Sequence, residues 1–224
     1  MGSNNKKSWQ LFLESLQEGV SGLKFGELTK PRFVKMVDEK IRLIDFNPDD
    51  VPDRPFPKND SEEVKREIQH IIRKMSDNSF DRKELITLDK KAMTQFYEYM
   101  DEQNLKYDRD YLEELSDDMS RFALRLKMKY QRPRPDQLAP LLGYELKDVP
   151  TSTDDSPSYP SGHTLVGWSI ALHLSDKYPE HKAAFYDIAG KIEDSRIVRG
   201  AHFLSDNVFS KLLARKYVVP NIKE

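Results

Sequence analysis

The segment Asp108–Met128, DRDYLEELSDDMSRFALRLKM, carries the clearest periodic pattern in the chain. Its apolar side chains recur at steps of three or four residues along one stripe, at Leu112, Leu115, Met119, Phe122 and Leu126. A stripe with this spacing is typical of an α-helix that buries one face. We therefore predict a long amphipathic helix over this segment.

Helical spacing also extends over most of the remaining sequence, and no alternating strand pattern occurs. The predicted helices are Ser61–Met75, Thr87–Asp101, Thr164–Lys177, Lys182–Ile197 and Ser205–Tyr217, with weaker patterns at Trp9–Gln17 and Pro31–Ile44. Phe46–Asp60 contains four prolines, which predicts a linker, and Val149–Pro160 is a polar loop. We predict an all-α helical bundle, with a helical extension and proline-rich linker over residues 1–56 and the main domain over 57–224.

Composition limits the classes of function that the chain can have. Its 36 basic and 38 acidic side chains give a formal charge of −2, so nucleic acid is not expected as a dedicated partner. The absence of cysteine excludes disulfides and thiolate metal sites. The apolar run Leu165–Leu174 is too short to cross a bilayer, and the N-terminus lacks the apolar core of a signal peptide. We expect a soluble protein without a transmembrane segment, cytoplasmic by default.

A first group of chemically informative residues lies at the end of the long predicted helix. The sequence from Lys127 to Pro135 is KMKYQRPRP, and Pro133 and Pro135 cannot continue a helix. Lys127 and Arg134 should therefore lie close together where the chain leaves the helix. Taken alone, this group is more typical of a solvated basic helix end that favours the helix dipole than of an anion site.

A second group, Pro160-Ser161-Gly162-His163, directly precedes an apolar helical run. Backbone amides at a helix start can bind an anion, and Gly162 would let that anion approach the main chain. Ser161 could equally be a simple N-cap, which is the commoner role for serine there. His163 could donate a proton to a departing oxygen, and for this group alone a capping and a catalytic role are about equally supported.

A third group comprises Ser195-Arg196, His202 and Asp206. Positions four apart share a helix face, so Asp206 can hold one imidazole nitrogen of His202. The other nitrogen would then be free to act as a nucleophile. The common alternative for such a pair is simple stabilisation of a helix, and this group alone does not decide between the two.

The combination of the three groups favours phosphoryl transfer. They supply three separated cations, a helix start suited to an anion, a histidine held by a carboxylate and a second histidine. Phosphoryl transfer depends mainly on positioning and on neutralising the phosphate oxygens. Arginine suits forked contacts to such oxygens, and lysine supplies a point charge.

These residues resemble the signature of the superfamily that joins type 2 phosphatidic acid phosphatases, bacterial class A nonspecific acid phosphatases and vanadium haloperoxidases. The signature contains a lysine, six residues and Arg-Pro, then Pro-Ser-Gly-His, then Ser-Arg, five residues, His, three residues and Asp. The sequence fits it without a gap at Lys127 to Pro135, Pro160–His163 and Ser195 to Asp206. A register on Arg132 is rejected, because it would place Arg125 at the lysine position. PSYPSGHTLVGWSIAL, residues 157–172, is most similar to the soluble class A acid phosphatases.

The resemblance implies a helical bundle of the acid phosphatase and vanadium haloperoxidase type, with the site at its core. It also implies a role for each matched residue: phosphate binding by Lys127, Arg134, Arg196, Ser161 and Gly162, nucleophilic attack by His202 oriented by Asp206, and proton transfer by His163. The expected intermediate is a phosphohistidine. Neither a metal nor another cofactor is expected, because the cations neutralise the phosphate.

The predicted activity is thus metal-independent hydrolysis of a small-molecule phosphomonoester, with substrate choice set by residues 149–159 and the N-terminal half. One alternative is a vanadate-dependent haloperoxidase, although the haloperoxidases of the family are much longer chains. Another is a phosphate-binding module without catalysis, for which the two histidines and Asp206 would be unnecessary. A homodimer is a further possibility.

Overall fold

A computed structural model describes residues 19–76, 81–147 and 154–223 of the chain. The described residues form helices and loops without a β-strand, and contain one isolated bridge between Ile44 and Ile222. The helices are α1 (Pro31–Asp38), α2 (Glu62–Met75), α3 (Arg82–Lys90), α4 (Ala92–Glu102), α5 (Arg109–Tyr130), α6 (Pro135–Leu138), α7 (Gly162–Lys177), α8 (Lys182–Val198) and α9 (Leu204–Leu213). The predicted all-α class is confirmed. The helix predicted at Trp9–Gln17 lies outside the described residues.

The predicted long amphipathic helix is α5, and local chemistry sets both of its ends. Asp108 is its N-cap, and Asp108 Oδ1 accepts a hydrogen bond from the Tyr111 amide at 3.0 Å. At the other end, Gln131 adopts a left-handed conformation with φ 55°, and Pro133 follows. Lys127 therefore lies in the last turn of α5, and Arg134 follows a few residues after the helix ends.

Helix α7 lies at the centre of the bundle and packs against α5, α8 and α9. Helix α7 packs closely on α8 at Gly167, where a β-carbon would lie 3.4 Å from Ile192 Cδ1, at the near limit of ordinary van der Waals contact. The main core surrounds α7 and includes Phe122, Leu165 and Phe209, all nearly inaccessible to solvent. A smaller core joins α2 to the start of α9 through residues such as Ile68 and Phe203.

The described residues before position 57 lie against the helical body. Ile44 and Val51 belong to the main core. The Phe25 amide donates to the Gln131 carbonyl at 2.8 Å, and the Lys223 amide donates to the Leu43 carbonyl at 2.8 Å. The proposed division into an extension over residues 1–56 and a domain over 57–224 stays a prediction.

Three predicted helices differ from the observed ones in their bounds. Thr87–Asp101 was predicted as one helix, but the chain breaks at Lys91 (φ −140°, ψ 42°) to give α3 and α4. The helix predicted to continue to Ile44 ends at Asp38, and the amides of Arg42 and Leu43 instead donate to Asp118 of α5 at 2.6 Å. The third, α9, ends at Leu213 and continues as a wider π-helical turn to Val218.

Within the described ranges, none of the helices is both long enough and apolar enough to cross a membrane.

Candidate active site

The predicted site residues converge on a cavity of about 450 Å³. Its walls are formed by the end of α5, the start of α7, the end of α8, the break between α3 and α4, and α1. The predicted site residues that line it are Lys127, Arg134, Gly162, His163, Arg196 and His202. Three separate stretches of sequence thus meet at one concave site.

His202 and Asp206 form the predicted pair, with His202 Nδ1 3.1 Å from Asp206 Oδ2. The predicted reason for this contact was wrong, because the two residues do not share a helix face. His202 precedes α9, whereas Asp206 lies in its first turn and also accepts a hydrogen bond from the Phe203 amide at 2.9 Å. A carboxylate only accepts, so Nδ1 carries the hydrogen and Nε2 keeps its lone pair.

The second ring nitrogen of His202, Nε2, lies next to a cation. Arg134 Nη1 is 3.4 Å from His202 Nε2. Burial, followed by the positive charge of Arg134, holds the pKa of His202 well below its usual value. Both effects favour the neutral imidazole, which is the form that a nucleophile requires.

Arg132 contacts the carboxylate oxygen of Asp206 that does not face His202. Its guanidinium is fully buried and donates to Asp206 Oδ1 at 2.6 Å, to Ser205 Oγ at 2.7 Å and to Glu67 Oε2 at 3.1 Å. Burial acts to raise the pKa of Asp206, but the charge of Arg132 and the bond to His202 outweigh it and hold that pKa below its usual value. Arg132 thus keeps the carboxylate ionised. It is not among the residues that line the cavity, which is consistent with the choice of Arg134 over Arg132 in the motif.

Hydrogen bonds to the backbone hold two of the predicted cations in place. Arg134 Nε donates to the Ser156 carbonyl at 2.7 Å, and Nη1 donates to the Ala201 carbonyl at 2.9 Å. Lys127 Nζ donates to the carbonyls of Pro157 and Ser158. Both side chains are buried, so their orientation is fixed before any ligand binds.

Two carboxylates that the sequence did not indicate balance the arginines of the site. Asp89 Oδ1 accepts from Arg196 Nη1 at 2.6 Å and from Arg199 Nη1 at 2.5 Å. Asp154 accepts from Arg199 and also lies 3.3 Å from Arg134 Nη1. Burial acts to raise the pKa of Asp89, but the charges of Arg196, His163 and Arg199 and the hydrogen bond from Arg196 together outweigh it and lower that pKa. Arg199, which was left out of the predicted site, is buried within this network.

His163 lies in the first turn of α7 and faces the same network. Its Nε2 is 2.8 Å from the Asp89 carbonyl oxygen, which can only accept, so Nε2 carries the hydrogen. Burial, followed by the charge of Arg196, lowers the pKa of His163 to about 3. A negatively charged ligand in the cavity would raise this pKa, because it opposes the charge of the arginine.

Ser161 and Gly162 begin α7 in different ways. Ser161 is fully buried as the N-cap, and its Oγ accepts from the Thr164 amide at 3.4 Å. A β-carbon on Gly162 would meet only Ala123 Cβ, at an ordinary 3.9 Å. Protein packing therefore does not require glycine here, and its missing side chain leaves space at the cavity wall. Direct contact of either residue with phosphate stays a prediction.

The part of the chain that holds the site is similar to a known protein family. Residues 119–216 match the family model described as the PAP2 superfamily. We refer to these matched residues as the PAP2 region. The PAP2 region contains all eight predicted site residues, from Lys127 to Asp206.

Two curated relatives are acid phosphatases. The chain is 51% identical over 49 residues to an "Acid phosphatase" of Zymomonas mobilis subsp. mobilis, which covers 22% of this chain and 19% of that protein. It is 34% identical over 88 residues to a "Non-specific acid phosphatase" of Providencia stuartii, which covers 39% of this chain and 35% of that protein. The chain thus aligns with about a third or less of the length of each relative.

Residues outside the PAP2 region complete the site. Asp89 at the end of α3 pairs with Arg196, and Glu67 of α2 accepts from Arg132 and from the Ser205 amide at 2.6 Å. Neither acid stands in a motif, and each lies in an ordinary amphipathic helical segment. Only the folded arrangement reveals that they balance charges within the PAP2 region.

Proposed function

We propose that this chain is a phosphatase that hydrolyses phosphomonoesters through a phosphohistidine on His202. The observation that carries the proposal is the environment of His202 Nε2. Asp206 occupies the other ring nitrogen, burial keeps the ring neutral, and Nε2 lies at the cavity 3.4 Å from Arg134 Nη1. A binding module would need the cations but would have no use for a nucleophile oriented in this way.

In the first step, the phosphate of the substrate lies in the cavity with its oxygens facing Lys127, Arg134 and Arg196. His202 Nε2 attacks phosphorus, a P–N bond forms, and the bond from phosphorus to the alcohol oxygen breaks. Protonated His163 gives its proton to that oxygen, so the alcohol leaves neutral. The positive charge that develops on the His202 ring is stabilised by Asp206.

In the second step, water enters where the alcohol has left. Neutral His163 takes one proton from the water while its oxygen attacks phosphorus, and the P–N bond to His202 breaks. The products are inorganic phosphate and the starting form of the enzyme, with His163 protonated again. The cations remain in place through both steps, so no reorganisation is needed as charge develops.

We expect activity to be independent of added metal, because the buried cations neutralise the phosphate oxygens. Hydrolysis of 4-nitrophenyl phosphate should therefore survive exhaustive treatment with a chelator. Orthovanadate should inhibit competitively, since it resembles the five-coordinate transition state. Loss of all activity in chelator that a divalent ion restores would contradict this mechanism, and no turnover in any condition would favour a module that only binds.

Exchange of Arg134 for lysine should lower kcat/KM on the order of 10- to 1000-fold, from the few kcal/mol of a charge-assisted contact. Arg134→Lys keeps the charge but loses the planar fork that its contacts with Ser156, Ala201 and His202 hold in place. Steady-state kinetics on 4-nitrophenyl phosphate measure the effect.

Arg125→Lys is a matched control for Arg134→Lys, because Arg125 also bonds to backbone carbonyls. It donates to Val37 at 3.0 Å and to Glu39 at 2.7 Å, away from the cavity. This control should change kcat/KM little. Near wild-type kinetics for Arg134→Lys would show that Arg134 does not contact the phosphate.

A further inference from the structure

The cavity continues outward from His202 into a groove. A neighbouring cavity of about 430 Å³ shares with the first a set of lining residues, Lys90, Lys91, Met93, Ser116 and Asp117. We call these five residues, together with Arg32, Phe33 and Met36 of α1, the outer groove. Because the outer groove shares its lining with the cavity that holds the predicted phosphate-binding residues, the alcohol part of a bound substrate can extend into it.

The break between α3 and α4 gives the outer groove its charge. In a continuous helix, consecutive side chains point about 100° apart, so Lys90 and Lys91 would face different directions. The break at Lys91 instead places both on the cavity wall, directly after Asp89. Both lysines are exposed. Neither forms an ion pair with any residue that the structure describes.

The charges around these lysines leave the outer groove basic. Arg32 adds a third cation and stacks over Phe33 at 4.5 Å. Asp117 is the acid on the groove; it is 70% exposed and lies 3.8 Å from Arg121. A concave surface with excess charge of one sign attracts ligands of the opposite sign.

The phosphate that reacts has no need of these lysines. Lys127, Arg134 and Arg196 already surround its position at the inner end of the cavity. The apolar side chains of Phe33, Met36 and Met93 line the same cavity as these cations and the two lysines. The outer groove therefore suits a substrate with an apolar body between two anionic ends.

We propose that the outer groove is a binding site for a second anionic group on the alcohol part of the substrate, held by Lys90 and Lys91. The proposal rests on the phosphatase function and names its substrate class: phosphomonoesters whose alcohol carries a further phosphate or carboxylate beyond an apolar spacer. Such a substrate binds with one anion at each end of the cavity.

Matched esters of different length test this proposal. Bisphosphates of propane-, hexane- and nonanediol are compared with propyl, hexyl and nonyl phosphate, so each pair differs only in the terminal anion. With the kcat/KM of the bisphosphate divided by two for its two equivalent phosphates, we expect it to favour the bisphosphate roughly 2- to 20-fold at the best length, from the modest strength of exposed charge pairs. The preference should fall as salt is raised, because salt screens exposed charges.

Variants assign the preference to the two lysines. In the double variant Lys90→Met, Lys91→Met, the ratio of kcat/KM between bisphosphate and monophosphate should fall to about one. Lys83→Met, an exposed lysine at the start of α3, is the matched control and should keep the wild-type ratio. A wild-type ratio near one at every length, or an unchanged ratio in the double variant, would overturn the proposal.

Calorimetry separates failure of this site from failure of the catalytic proposal. If wild-type protein hydrolyses none of the esters, binding of the same pairs is measured directly. If the bisphosphate binds more tightly than the monophosphate, and the double variant loses this preference, the outer binding site is supported and the catalytic proposal is rejected. Equal binding of the two esters would reject the outer site.

Discussion

Replacement of His202 by alanine is expected to abolish turnover, with a loss on the order of 10,000-fold or more, because it removes the proposed phosphoryl acceptor, His202 Nε2. The same variant should fail to become labelled by a substrate carrying radioactive phosphate. Quenching without acid preserves a phosphohistidine, so labelling and hydrolysis can be followed in parallel. A phosphoenzyme formed by His202→Ala would contradict the assignment of the nucleophile.

Two controls separate loss of the nucleophile from loss of the fold. His181→Ala removes a histidine that bonds to the Tyr99 hydroxyl at 2.8 Å, away from the cavity, and should retain activity. The variant His202→Gly should regain part of its activity when imidazole is added, since the free ring can occupy the vacated space. Absence of both rescue and phosphate binding would instead indicate a collapsed site.

Replacement of His163 by alanine should have an effect that depends on the leaving group. An alkoxide needs a proton as it departs, so alkyl phosphates should lose on the order of 100- to 10,000-fold, the usual contribution of a general acid. 4-Nitrophenolate leaves with little help, so its ester should lose much less. Rates for a series of alkyl and aryl phosphates measure this difference, and an equal loss on all of them would show that His163 is not the acid.

The pH dependence follows from the lowered pKa of His163. In the free enzyme this pKa is about 3, so the protonated acid becomes scarce as pH rises above that value. Bound phosphate adds negative charge near the ring and raises the pKa in the complex. The descending limb of kcat, which reports the complex, should lie at higher pH than that of kcat/KM, which reports the free enzyme. The optimum is expected in the acidic to neutral range, and His163→Ala should remove the difference between the two limbs.

The parts of the structure that the sequence predicted are those set by local chemistry. The spacing of Leu112, Leu115 and Met119 depends on one helix alone, and the ends of α5 follow from a cap and a proline. The position of Ser161 as a cap follows from its place before an apolar run. The grouping of the site residues could be predicted because the three motifs lie at the ends of predicted helices, where the chemistry of phosphate binding requires them to meet.

The parts that the sequence did not predict depend on contacts between distant segments. No local pattern breaks the helix at Lys91, whose neighbours are good helix formers, and the break is visible only in the folded chain. In the sequence, Asp89 is an ordinary acid in an amphipathic segment. Only the folded chain shows that it pairs with Arg196, 107 positions away. His202 and Asp206 were correctly paired for the wrong reason, because a spacing of four residues also fits a loop that enters a helix.

The carboxylate of Asp206 is held by donors from three separate parts of the chain. Its two oxygens accept from Arg132, Ser158, His202 and the Phe203 amide, which come from the chain after α5, the loop before α7 and the start of α9. Each donor fixes the carboxylate that in turn fixes the imidazole tautomer. The proposed nucleophile thus takes its observed orientation only when segments far apart in sequence have joined, so assays of the proposed activity would also report whether these segments have assembled.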